Sequence, residues 1–233
     1  MFNLTNLCGF MAYTDAVSGG TGAGPGGGDP YWSDVVWYFR FDDDLVDQKG
    51  NLTATSVSTV FASDGPYGLG EKCLETSHTY AYPSYVYASA GVVDIGAGDF
   101  TIELWAKMDP FHPVDHWLYE AAASSGKQIS YIKDGLNFGF QFMAGRINTA
   151  EVTNEAWHWL VFQRESGTIS MWIDGVKEAG TLVDSMDLDG FFTGRAGAAD
   201  PGMYIRIAEH RGTKRARYSS ATIPVPTAPF PNS

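Results

Sequence analysis

The residues of this chain that can do chemistry fall into four sets. Carboxylates come first. Hydrolysing a glycosidic bond with retention takes two carboxyl groups about 5 Å apart, an acid and a nucleophile. Acids spaced i, i+2, i+4 along one strand share a face and come that close. No Glu-x-Asp-x-Glu occurs here, and the nearest approach, Asp187-Leu188-Asp189, lies in a turn-rich connection. Nor is there a Gly-x-Ser-x-Gly nucleophile elbow or a phosphate-cradling glycine loop ending in Lys-Ser/Thr. The expectation is a chain without catalytic residues. Metal ligands are the second set. Asp109, His112, Asp115 and His116 lie within eight residues, but Pro110 and Pro113 constrain how they converge, and a solvated loop is the simpler reading. Asp42-Asp43-Asp44 with Asp47, and Asp184, Asp187 and Asp189, offer hard oxygens suited to calcium, without the spacing of an EF-hand loop that closes on a bidentate Glu. No cofactor is expected, with calcium as the one open alternative.

The third set is basic. Arg206, Arg211, Lys214, Arg215 and Arg217 are five of the fifteen Lys and Arg in the chain. Two readings stand side by side: a solvated strand edge that discourages pairing, and a patch that meets an acidic face of a neighbouring copy. The fourth set is aromatic. Tyr80, Tyr82, Tyr85 and Tyr87 cluster in TYAYPSYVYA and form the candidate glycan-stacking surface, whereas most of the seven Trp and remaining Tyr belong to a core.

These residues need elements to hold them, and the clearest is Glu155–Lys177. Trp157, Trp159, Val161 and Gln163 alternate with His158, Leu160, Phe162 and Arg164, then Glu165-Ser166-Gly167 turns the chain. Ile169, Met171 and Ile173 follow in alternation, and Asp174-Gly175 matches the positive φ angles of a type I′ turn. Val35–Phe41 predicts a strand with Val35, Trp37, Phe39 and Phe41 on the core face, and Phe100–Lys107 one with Phe100, Ile102, Leu104 and Ala106 there. Further strands are read at 57–61, 72–76, 116–122, 128–133, 136–142 and 146–152, with a last one near 203–209 leading into the basic segment. Pro83 makes 79–88 an edge strand or loop. No helical period of useful length appears. Many short strands at close spacing predict an all-β, antiparallel β-sandwich or jelly roll.

The ends differ from the middle. Phe2, Leu4, Leu7, Phe10, Met11 and Tyr13 give residues 1–18 an apolar character, and residues 19–28 contain seven glycines. Such a run cannot offset ordering entropy by burying side chains and acts as a tether, reaching roughly 35 Å at full stretch. We read residues 1–30 as an anchor arm and leash and 31–233 as the domain. The formal charge of −12 argues against nucleic-acid binding. Cys8 and Cys73 make no disulfide framework and are read as free thiols, compatible with a reducing compartment. The first twenty residues carry no Lys or Arg, unlike a secretory signal, and no stretch approaches the ~20 apolar residues of a membrane span. A soluble protein is expected.

Several segments together resemble the laminin G-like, concanavalin A-like jelly-roll family. They are Trp37–Asp42 with Leu45–Asp47 and Gly50-Asn51, then Gly98–Ala106, then Trp157–Val161 with Thr168–Gly175. The closing segments Ile205-Arg206-Ile207, Arg215–Ser220 and Pro226–Pro231 are similar to those of laminin G-like domains in tailed-bacteriophage virion proteins. Where family members commonly carry acidic residues before the last strand, this chain has Gly202, Met203 and Tyr204. The resemblance implies a non-enzymatic virion structural protein, foremost a capsid decoration protein on the virion surface and made in the host cytoplasm. The arm would bind sister copies and the major capsid protein, in a homo-oligomer touching neither nucleic acid nor membrane. The alternatives are a tail or fibre protein that binds host glycans or a receptor and, less favoured, a polysaccharide-degrading enzyme.

Overall fold

The computed structural model describes residues 28–68, 70–76, 84–88, 94–108, 116–121, 127–134, 137–142, 145–152, 155–184, 188–189, 191–193 and 205–233. The arm residues Phe2 to Tyr13, Cys8, Tyr80, Tyr82, Asp109, His112, Asp115 and Asp187 lie outside them. Among the described residues, a 3-10 turn at Trp32–Asp34 is followed by strands. These are β1 (Val35–Phe39), β2 (Ala54–Val57), β3 (Thr59–Ala62), β4 (Cys73–Thr76), β5 (Tyr85–Ala88) and β6 (Asp94–Gly96). Next come β7 (Phe100–Met108), β8 (His116–Ala121), β9 (Lys127–Asp134), β10 (Asn137–Phe142), β11 (Gly145–Thr149) and β12 (Trp157–Glu165). The last are β13 (Thr168–Ile173), β14 (Val176–Lys177), β15 (Leu182–Val183), β16 (Leu188–Asp189), β17 (Phe191–Thr193) and β18 (Ile205–Thr213).

Two antiparallel sheets face each other. The larger runs β14-β13-β12-β7-β18-β4-β3, with β1 also on β18 and β15 on β13; the smaller runs β11-β10-β9-β8-β17-β5-β2. The Glu155–Lys177 hairpin forms as read. Ser166 and Gly167 (φ +50° and +78°) close β12 onto β13, and Asp174 and Gly175 (φ +49° and +80°) close β13 onto β14. Positive φ at both central residues is what a two-residue hairpin turn requires for its twist to match the strands. Between the sheets, Phe100, Ile102, Leu104 and Ala106 of β7 and Leu160 and Phe162 of β12 meet Val86, Phe140, Phe142 and Ile147 of the opposite sheet.

Four expectations are corrected. The strand read at 57–61 is two strands in different sheets, because Ser58 at φ +53° swings the chain from β2 in one to β3 in the other. Residues 85–88 are interior, paired with β17 on one side and β2 on the other. Val35 leaves the inter-sheet core for the opposite face, since a bulge between Val35 and Trp37 shifts its register. Most consequential, the basic segment does not simply follow the last strand: Arg206 and Arg211 lie within it, and Lys214, Arg215 and Arg217 come just after it. β18 runs to Thr213, paired with β7 along one side and with β1 and β4 along the other.

A second core lies on the outer face of the larger sheet. Tyr38, Trp105, Trp159, Val161 and Trp172 are buried there under Ile223 and Phe230 of the C-terminal segment, with Tyr218 packed alongside. Burying Ile223 and Phe230 contributes roughly 1.5–3 kcal/mol each. The four prolines of residues 224–231 lower the entropy lost when the segment is ordered.

Candidate functional site

The tyrosines of β5 owe their placement to strand alternation. On β5, Val86 and Ala88 point into the inter-sheet core, so Tyr85 and Tyr87 stand half-buried on the outer face of the smaller sheet. Their ring centroids are 5.8 Å apart, tilted by 44°. Across the ladder, Tyr85 faces Val57 and Tyr87 faces Thr55 of the edge strand β2. A pair of phenol rings offers a stacking surface with polar tips, the chemistry that grips a sugar ring's apolar face.

The basic residues are for the most part drawn inward. Arg206 bonds Glu75 at 2.6 Å and Asp64 at 2.5 Å. Arg211 and Arg217, each under a tenth exposed, share two buried carboxylates. Asp29 accepts from both at 2.9 Å, and Glu103 accepts from Arg211 at 2.7 Å and lies 3.4 Å from Arg217. Arg215 pairs with Asp34 at 3.1 Å on the surface, and only it and Lys214 are exposed. The reading of this segment as a solvated edge is corrected for Arg206 and Arg211, which lie within β18, while Lys214 and Arg215 beyond it stay exposed. A central strand has no free side, and acidic partners within the chain face its arginines.

Sequence reasoning missed the clasp these partners build. Asp29, 182 residues from Arg211 in the chain, is fixed beside it, and its backbone N–H donates to the Ser233 carbonyl at 2.7 Å. Burial alone would raise its carboxyl, but Arg211, then the hydrogen bond and charge of Arg217, and the Tyr31 amide outweigh this and hold it below the usual range. The Tyr218 hydroxyl donates to Glu103 at 2.5 Å. Gln163 acts like a strand edge: its Oε1 accepts from the Arg217 and Tyr218 amides, and its Nε2 donates to the Tyr218 carbonyl at 2.7 Å. The only signal in the sequence was polar residues, Thr101, Glu103 and Gln163, at alternate places in otherwise apolar strands.

The calcium candidates have other partners. Asp47 accepts four backbone N–H groups, from Tyr38, Lys49, Asn51 and Leu52, at 2.8–3.0 Å. Asp43 pairs with Lys72, Asp42 with Arg40, and Asp184 lies 3.9 Å from Arg164. Among the described residues, no three His, Cys, Asp or Glu are placed to hold a metal ion. Cys73 is buried, which pushes its thiol up to about 11 and leaves it unreactive at neutral pH. No described helix is long and apolar enough to cross a membrane.

The family model described as the concanavalin A-like lectin/glucanases superfamily matches residues 82–216, more than half of the chain. The chain belongs to this superfamily. Solved structures of the same fold include the binding domain of Paraclostridial Mosquitocidal Protein 1, with TM-score 0.63 and 15% identity over 80% of this chain and 50% of that one. A Trypanosoma rangeli sialidase follows, with TM-score 0.61 and 12% identity over 81% of this chain and 31% of that one. The receptor binding domain of a botulinum neurotoxin C/D mosaic serotype has TM-score 0.59 and 10% identity over 82% of this chain and 49% of that one. This superfamily member thus spans about half or less of the length of each, and at such identities the likeness is one of fold. A comparison with curated proteins gave no match.

Proposed function

We propose that this chain is a non-enzymatic structural protein of a bacteriophage particle, a capsid decoration protein whose arm, residues 1–28, joins neighbouring subunits of the shell. One observation carries the reading beyond the similarity of the closing segment: the root of the leash is clamped to the centre of the larger sheet. Asp29 is bound through its side chain to Arg211 and Arg217 and through its backbone to Ser233. A load on the arm therefore passes into β18 and β7, the most extensively paired strands. An arm rooted on a rigid body also gains high effective concentration for its second contact once the domain has docked. The partners are sister copies and the major capsid protein, and the place is the virion surface. Deleting residues 1–27 leaves a folded, soluble domain that no longer joins its particle in a sedimentation assay. A truncated domain that sediments with particles as the intact chain does overturns the reading.

The paired rings of Tyr85 and Tyr87 favour a second reading, a tail-associated protein that binds a host glycan or receptor. The word binding in the names of two structural neighbours supports the same direction. On this reading a Y85A/Y87A variant loses retention on a glycan array while keeping the unfolding midpoint of the parent, and on the first reading the two proteins behave alike.

A further inference from the structure

The two facing sheets end in four edge strands, β14 and β11 on one side of the sandwich, β3 and β2 on the other. An edge presents unpaired N–H and C=O groups to any strand that comes near. The first side is covered from within the chain. After β18 the chain runs back over the outer face of the larger sheet, and residues 218–233 form a strap across Tyr38, Trp159, Val161 and Trp172. Its far end is held where the Glu209 carboxylate accepts the Phe230 amide at 2.8 Å. On the way it engages the β14 edge: the Lys177 N–H donates to the Ala221 carbonyl and the Ile223 N–H to the Gly175 carbonyl, both at 2.8 Å. On β11, Leu182 and Gly180 lie against Gly145 and Ile147.

The second side is built differently. β2 and β3 are one run of chain joined only by Ser58, so a single segment forms the edge of both sheets. Among the described residues β3 pairs with β4 alone. Residues 52–62, LTATSVSTVFA, hold no charge, glycine or proline. Charges and prolines are the usual means of keeping an exposed edge from recruiting a strand, and neither is spent here in a chain of net charge −12. Val60 is 52% exposed. Phe61, half-buried, packs against the rim of the inter-sheet core, which therefore reaches solvent along this edge.

Such an edge suits an uncharged strand of alternating apolar residues, and the chain contains one. Met1 to Thr14 include no Asp, Glu, Lys, Arg or Pro, and Phe2 and Leu4 alternate with Asn3 and Thr5. Laid beside β3, a strand of this pattern covers Phe61 with its apolar side and turns its polar side outward with Val60. The leash sets the reach: its root is fixed at Asp29 by Arg211 and Arg217, and residues 19–28 extend roughly 35 Å from there. We propose that residues 2–7 of one copy add to β3 of a sister copy as a further strand of its larger sheet. The inference rests on the reading of residues 1–28 as an arm and names the surface that receives it. Backbone hydrogen bonds along β3 supply the affinity, and the rim around Phe61 sets the register.

The test uses the 233-residue chain with the photo-cross-linker benzoylphenylalanine in place of Val60. Light and nitrogen-15 chains are unfolded together in urea, refolded and irradiated, and the products are mapped by mass spectrometry. Links from position 60 to residues 2–7 that join light to heavy chains are expected. Links confined to single chains mean that the arm folds onto its own edge, and the proposal fails. Links from position 60 to residues 54–62 of another copy mean edge-to-edge pairing and also refute it, as does finding no link to the arm. A second variant, V60K, sets a lysine opposite Glu75 at an exposed position. It keeps the parent's unfolding midpoint and loses the higher-mass species that the parent shows in light scattering. A parent that stays monomeric, or a V60K that associates as the parent does, overturns the proposal. The arm reading is judged separately: if the chain lacking residues 1–27 no longer joins particles while position 60 never meets the arm, the arm stands and β3 is not its receiver.

Discussion

At the scale of single residues, buried carboxylates do the organising, and each is defined by its donors. Asp47 satisfies four backbone N–H groups that no strand partner reaches, from Tyr38 to Leu52. Hydrogen bonds to a charged acceptor are among the stronger ones, and orphaned buried donors add their desolvation cost. D47A is therefore expected to lose about 3–5 kcal/mol, read as a lower urea midpoint. Asp29 makes a pH prediction. Its carboxyl is held below the usual range by Arg211 and Arg217, against the opposing effect of burial. Its stabilisation is thus present above about pH 4 and is lost as pH falls through the folded-state value. The urea midpoint drops between pH 5 and pH 3, and it drops less in D29N; equal drops in the two proteins would show that the clasp is not the source.

Among the elements, β18 carries the most. It joins β7 to β1 and β4, turns its bulge to present Glu209 and supplies Arg211 to the clasp. Gly212 is what lets it do so, because a Cβ there would lie 2.3 Å from the Trp37 ring, inside the inter-sheet core. G212A must push a fully buried indole or a central strand aside. Overpacking of this kind costs about 1–3 kcal/mol, and we expect a lowered thermal midpoint with altered near-UV dichroism from Trp37. Hairpin strands were legible because each link was local: alternation chose the faces of β12 and β13, and Asp174-Gly175 chose the turn. β18 was read short because its charges looked like the start of a loop. Charge is tolerated in a central strand only when partners wait opposite, and those partners sit more than a hundred residues away, in Asp29 and Glu103.

For the molecule as a whole, the larger sheet is covered on both faces, by the smaller sheet and by the strap. Ending the chain after Tyr218 is expected to expose Trp159 and Trp172, shifting tryptophan emission to the red and promoting association. An unchanged emission spectrum would mean that the strap is dispensable as a cover. The sequence alone was enough to establish two-faced strands, their turns and an antiparallel sandwich, since each follows from contacts between residues close in the chain. What it did not reveal was which element covers each face. Period-two alternation says that Trp159, Val161 and Gln163 share a side, and it is silent on whether water, a partner or a returning tail lies there. Only the tertiary structure decided that, through bonds such as Tyr38 to Glu209 and Asp29 to Arg217, which span 171 and 188 residues. Contacts that distant leave no period in the sequence, because they join segments whose local patterns are independent.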